Sequence, residues 1–169
     1  MDDSIRDYIR AKHFLQIGEY TAEAIKKDLG ALVEVATNDP QLEVVGKHLS
    51  DGSPGAINIQ GSEVREALEP VLAEIVNGVR RLIEEAQPEA VADIYYSGVI
   101  LTGGGALLKG LKERLQAELK LHVSVPEDPM TTVVVGAGSL LAQPDRLHRC
   151  SIRQNLPAWQ GSEELVVSW

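Results

Sequence analysis

The sequence predicts an α/β fold, and three stretches carry that prediction. Residues 99–111, Val-Ile-Leu-Thr-Gly-Gly-Gly-Ala-Leu-Leu-Lys-Gly-Leu, read as strand, glycine turn and helix. A short apolar run has the composition of a buried strand. Glycines at such a corner either leave backbone N–H groups open to a ligand at a helix start or make only a tight strand-to-helix corner with no ligand. Residues 62–83 carry Val64, Leu68, Val71, Leu72, Ile75, Val76 and Val79 at helical spacing, with a wide apolar face. Residues 31–60 instead alternate apolar and polar side chains between turn signals.

In chain order, residues 2–16 read as a helix with Ile5, Tyr8 and Ile9 on one face. Asp2 and Asp3 at its start suit the helix dipole. Gly18 separates it from a second helix over about 21–29, with Thr21 as cap and Gly30 as stop. Three short antiparallel strands are expected next. The first holds Val33 and Val35, the second runs from Leu42 to Leu49, and the third holds Ile57 and Ile59. Asn38-Asp39-Pro40 and Asp51-Gly52-Ser53-Pro54-Gly55 are the turns between them. Ser62 is the expected cap of the long helix, and Pro70 predicts a kink or break near residue 69. A shorter helical or irregular stretch over about 88–97 leads to the glycine turn. A helix over about 106–120 follows, then a second buried strand from His122 to Val125 that Pro126 ends, then a helix over about 129–143. Residues 144–169, with Arg146, His148, Arg149 and Arg153, match none of these patterns and are expected to be peripheral or disordered, with Trp159 and Trp169 able to dock on the body.

The totals narrow the function classes. A chain of 169 residues, 44% hydrophobic and 24% charged, has an ordinary soluble composition. A net charge of −9 argues against a nucleic-acid surface, which clusters Lys and Arg, and against simple electrostatic attachment to anionic lipid. Cys150 is the one cysteine, so no intrachain disulfide forms and a reducing cytoplasm fits. No signal peptide and no membrane-spanning apolar run is evident. His13, His48, His122 and His148 lack metal-like spacing with carboxylates, so no metal site is assigned.

Several blocks, in order, carry a resemblance. They are Met1-Asp2-Asp3-Ser4-Ile5, residues 17–26 (Ile-Gly-Glu-Tyr-Thr-Ala-Glu-Ala-Ile-Lys), Glu63-Val64-Arg65-Glu66-Ala67-Leu68, Pro88-Glu89, Asp93-Ile94, Leu101-Thr102-Gly103-Gly104-Gly105 and Glu127-Asp128-Pro129-Met130-Thr131 running into Gly136. The ordered set resembles the C-terminal half of the MreB family of bacterial actin-like cell-shape proteins, over roughly residues 1–143. It implies the second half of an actin-like, ribonuclease H-like ATPase fold. Residues 1–30 and 61–143 would form an inner subdomain lacking its first strands, with a small antiparallel-sheet outer subdomain at 31–60 inserted in it.

By the same resemblance, Gly103, Gly104, Gly105, Ala106 and Leu107 correspond to the loop that contacts adenosine. Glu23, Ala24, Ile25 and Lys26 correspond to the helix segment that meets ribose and adenine from the other side. The chemistry agrees, since a carboxylate accepts from ribose hydroxyls and a lysine stem can cover a base. Taken alone, Glu23 and Lys26 read as a solvated surface pair worth about 0.2–0.5 kcal/mol. Gly136 and Gly138 fall at the family's second connector helix, as packing glycines or a hinge, and Asp128 reads as a helix cap.

The family's two phosphate loops and its water-positioning residues belong to a part of the family not matched here. ATP is therefore the expected cofactor, with Mg²⁺ accompanying it only when the complementary half is present. No catalytic residue is assigned and the chain alone is expected not to hydrolyse ATP. The implied partners are full-length MreB-like subunits or a complementary N-terminal half, together with the cell-wall elongation machinery, with no nucleic acid and no direct membrane binding. The implied function is that of a filament-forming cytoskeletal family that guides cell-wall synthesis and rod shape, in the cytoplasm. Two alternatives are an interaction module that caps or joins filaments without nucleotide, and an ATPase-domain fragment of a related chaperone or divisome actin.

Overall fold

The computed structural model describes residues 1–32, 39–143 and 146. The expected strand at Val33 and Val35, residue 38 of the first turn, and the tail from 144 on apart from Arg146 lie outside the described residues. Two compact units divide the chain between Thr132 and Val133.

The first unit opens with α1 (Asp2–His13). It buries Ile5 and Ile9 and ends at Phe14, which adopts the left-handed conformation with φ 52°. The helix expected to reach residue 16 therefore stops early. Leu15 is fully buried, and Leu15–Gln16 form β1, pairing with His48 and Lys47 of β2 (Gln41–His48). Turning Phe14 out of the helix is what lets Leu15 enter the core. Helix α2 (Glu19–Leu29) starts two residues before the expected cap. Gly18, extended at φ −78° and ψ 165°, is the N-cap and its carbonyl takes the Ala22 amide at 3.1 Å. Thr21 sits in the first turn, and Gly30 ends the helix as expected, its amide donating to Lys26 O at 2.9 Å.

The small sheet has the order β1-β2-β3, antiparallel throughout, with β3 at Pro54–Gln60. Leu42, Val44, Ile57 and Ile59 share the inward face, since Leu42 is opposite Ile59 and Val44 opposite Ile57. Val44 and Ile59 are buried. The second turn is shorter than expected, because Pro54 and Gly55 already belong to β3, opposite Lys47 and Gly46. Proline is tolerated as the first residue of a strand. A Cβ at Gly46 would lie 2.6 Å from Gln16 O, so glycine here lets β1 approach.

Helix α3 (Gly61–Glu85) runs unbroken through Pro70, so of the expected kink or break the break does not occur. The lost bond concerns the Glu66 carbonyl, and Glu66 and Pro70 both lie exposed. Water can take the orphaned carbonyl there. On the opposite side Val64, Leu68, Leu72 and Val76 are buried, at about 1.5–3 kcal/mol for each full side chain, enough to hold both halves of the helix in place. The N-cap is Gln60 and not Ser62, and Gln60 and Glu63 form a reciprocal capping box. Glu63 Oε2 takes the Gln60 amide at 3.0 Å, while Oε1 lies 2.8 Å from His13 Nε2 and 3.2 Å from Lys12 Nζ. Burial works against the Glu63 charge, yet these partners outweigh it and hold the carboxyl below its ordinary value. The same charge network ties α1 to α3.

Of the two readings of residues 88–97 the helical one holds, as α4 (Pro88–Ser97) with Pro88 in its first turn. Strand β4 (Val99–Ile100) pairs in parallel with β5 (Val123–Ser124), and among the described residues neither has another strand beside it. The expectation of two buried strands holds for Val123, which is fully buried, and fails for Ile100, which is 65% exposed. Successive side chains of a strand point to opposite faces, so Val99 packs against the core while Ile100 lies on the uncovered face. The expected helix from 106 begins later. A 3₁₀ turn (Gly104–Leu107) comes first, and α5 (Leu111–Leu119) starts after the left-handed Gly110. Leu111 and Leu115 complete the core.

Helix α6 (Thr132–Leu141) begins three residues later than read, and Val133, Val134 and Leu141 on it are exposed. A Cβ at Gly136 or Gly138 would meet nothing within 4 Å. No helix among the described residues is long and apolar enough to cross a membrane.

Candidate nucleotide groove

The three glycines do different work. Gly103, at φ 79° and ψ 178°, occupies a region that side chains disfavour. Its amide donates to Pro129 O at 2.7 Å, which anchors the turn to the 128–131 loop. Gly104 and Gly105 open the 3₁₀ turn and lie exposed. Opposite them runs α2. Two backbone features hold these pieces together: the Leu32 amide donates to Lys109 O at 2.8 Å, and Ala31 forms a parallel bridge with Lys109. Gly30 fits because nothing larger does. A Cβ there would lie 2.1 Å from Lys26 O and 2.9 Å from Leu108 Cδ1.

Between these walls lies a groove of about 380 Å³. Gly104, Gly105, Leu107 and Leu108 line one side, and Glu23, Lys26, Lys27 and Gly30 line the other, with Met1, Lys109 and Met130 at the margins. Of the nine residues read from the sequence, the structure brings five to the groove: Glu23, Lys26, Gly104, Gly105 and Leu107. Ile25 is fully buried in the core, Ala24 faces outward, and Gly103 and Ala106 support the turn without lining the groove. Sequence reasoning passed over Met1, Lys27, Gly30, Leu108, Lys109 and Met130. Met1 and Met130 stood inside blocks that carried the resemblance, which was the available signal.

Charge in the groove is largely paired off. Lys26 Nζ lies 2.8 Å from Asp2 Oδ1 and 3.0 Å from Oδ2, and Lys27 Nζ lies 2.8 Å from Glu23 Oε1. The surface pair anticipated between Glu23 and Lys26 is therefore not made. Spacing of four brings Lys27 onto Glu23, and the start of α1 takes Lys26. The hydrogen bond that Lys27 donates to the Glu23 carboxylate holds its ammonium above its ordinary pKa. Methionine and leucine side chains supply apolar surface, glycine backbone permits close approach, and Glu23 offers an acceptor. Among the described residues no three His, Cys, Asp or Glu side chains gather to hold a metal.

A profile of the MreB/Mbl protein family matches residues 1–149. The chain belongs to the MreB/Mbl family. The cell shape-determining protein Mbl of Bacillus cereus is 41% identical over 152 residues, covering 90% of this chain and 45% of that protein. The chain thus spans less than half the length of the MreB/Mbl relatives it matches. Among solved structures, MreB5 of Spiroplasma citri bound to AMPPNP superposes with a TM-score of 0.80 at 29% identity, over 88% of this chain and 44% of that one. A MamK double helical filament gives 0.67 at 23% identity, over 84% and 43%, a likeness of fold. The α/β fold of this MreB/Mbl chain is therefore the actin-like one, and the chain is a partial member of a cytoskeletal, cell-shape-determining family.

Proposed function

We propose that the groove takes the adenosine part of ATP, and that the chain supplies this side of the nucleotide site, along with a filament contact surface, to an MreB-type assembly. The observation that carries the reading is the facing of Gly104 and Gly105 by Glu23 and Lys26 across a groove with apolar margins. The AMPPNP-bound MreB5 relative supports it. Glu23 would accept from ribose hydroxyls, and Leu107 and Leu108 would lie against the base. ATP supplies a transferable phosphoryl group when bound, and Mg²⁺ would arrive with the phosphates. Phosphoryl transfer needs positioning and charge stabilisation around the γ-phosphate, which by the family resemblance comes from the complementary half. Residues 1–30 and 61–143 serve as the inner subdomain and 31–60 as the outer one. Partners are like subunits or a complementary N-terminal half, with the cell-wall elongation machinery beyond them, at a cytoplasmic location.

The test is a titration of the purified chain with adenosine and with ATP, followed by nuclear magnetic resonance. Weak binding of both, with no phosphate release, is expected, and supplying the complementary half should tighten ATP binding. Absence of any shift at α2 or the glycine turn would sink the reading. ATP turnover by the chain alone, persisting after mutation of Glu23 and Gly104, would contradict it equally.

A further inference from the structure

Asp128 builds a small rigid loop. Its Oδ1 takes the Met130 amide at 3.2 Å and the Thr131 amide at 3.4 Å, and its Oδ2 takes the Thr131 hydroxyl at 2.6 Å. The Asp128 carbonyl takes the Thr132 hydroxyl at 2.6 Å. These donors, the Thr131 hydroxyl foremost, hold the Asp128 carboxyl below its ordinary pKa. The loop is joined to the glycine turn by the Gly103 amide on Pro129 O. Met130 is what the loop presents. Its sulfur lies 3.3 Å from where a Cβ on Gly104 would stand, it lines the groove, and it is 63% exposed. A large apolar side chain held in the open beside two glycines has little to gain from its own fold.

We infer that Met130 is a specificity-determining contact for the purine ring in the groove, and that Asp128 is the positioning residue that holds it there. The inference rests on the adenosine reading of the groove. A polarisable thioether at an aromatic ring is a favourable contact worth a modest factor in affinity, and here the sulfur lies beside Gly104 at the groove. Asp128 acts only through Met130 and the turn, since it is absent from the groove lining.

The test uses the intact chain with its methionine methyl groups isotopically labelled and adenosine as the probe. The Met130 ε-methyl should move on titration by the ring current of the base. Met130→Ala should weaken adenosine about two- to tenfold, with the thermal midpoint unchanged because the side chain is exposed. Met130→Leu should recover most of the loss, and Asp128→Ala should weaken adenosine similarly with Met130 intact. Adenosine binding that Gly104→Val abolishes but Met130→Ala leaves unchanged would overturn the inference and leave the adenosine reading standing. No binding by the unmodified chain would overturn both. Full affinity in Asp128→Ala, with loss in Met130→Ala, would remove Asp128 from the assignment.

Discussion

The Leu32 amide and the Lys109 carbonyl meet at 2.8 Å, joining the exit of α2 to the exit of the glycine turn. Gly30, two residues before Leu32, makes this junction possible by leaving the Lys26 carbonyl and Leu108 uncrowded. Gly30→Ala should therefore cost about 1–3 kcal/mol, the range for forcing extra volume into a packed site. Urea unfolding monitored by circular dichroism measures it. An unchanged midpoint would mean that the junction yields freely.

The glycine turn separates strain from space. Gly103 holds a positive φ, yet a Cβ there meets nothing within 4 Å, so Gly103→Ala should destabilise by about 1 kcal/mol through backbone strain alone. Gly104 has no such φ, and a Cβ there meets the flexible Met130 sulfur at 3.3 Å. Gly104→Val should leave the fold intact while a branched side chain fills the place a nucleotide would approach. Nucleotide binding should vanish in Gly104→Val and be reduced only slightly in Gly103→Ala.

The long helix offers a test of cause. Pro70→Ala restores an amide for the Glu66 carbonyl and relieves a clash one turn back, and should raise stability by about 1–3 kcal/mol. Calorimetry would show a higher midpoint. A lower one would mean that the proline's rigidity in the unfolded chain outweighs its cost in the helix.

What the sequence disclosed tracks what neighbouring residues decide. Apolar spacing placed α3 and the inward face of β2 and β3, because those patterns repeat over many residues. Phe14 and Leu15 were misread because their continuation of a helical pattern is locally sound. Only the arrival of His48 and Lys47 draws Leu15 into a sheet. Ser62 looked like a cap, and Gln60 took the role through a reciprocal bond with Glu63. In the groove, Glu23, Lys26 and Gly104 were legible through the resemblance. Lys109 was not, and Met130 stood in a matching block without being read as lining, because their place depends on loops that close from distant parts of the chain.

Acid should loosen the α1–α3 junction. Glu63 titrates below its ordinary value of 4.5 in the folded chain, so its contribution is complete above that value and disappears as pH falls through the lower folded value. Thermal midpoints should decline on acidification below about pH 4.5 and flatten in that window for Glu63→Gln. A Glu63→Gln variant that tracks the parent curve throughout would show that other carboxylates govern the acid transition.

Assembly follows from the proposed subdomains. A head-to-tail contact between the inner subdomain of one subunit and the outer subdomain of the next is heterologous and does not close. This chain should bind the end of a full-length MreB filament and disturb its growth more readily than it polymerises alone. Sedimentation of full-length MreB with and without the chain, with electron microscopy of the pellet, reads the effect. Ordered filaments of the chain alone would contradict it, as would no effect from folded material. The bare face of β4 also carries an aggregation risk.

The bridge between Ala31 and Lys109 carries a kinetic consequence. The β2–β3 hairpin and the α1–α2 pair join residues near one another in sequence and close cheaply. The bridge joins positions separated by most of the first unit, and such contacts form only after the loop entropy between them has been lost. The groove is thus the late product of folding. Changes at its junction should accelerate unfolding while leaving the refolding rate nearly untouched, so a population recovering from denaturant would regain its helices before it regained a place for a ligand.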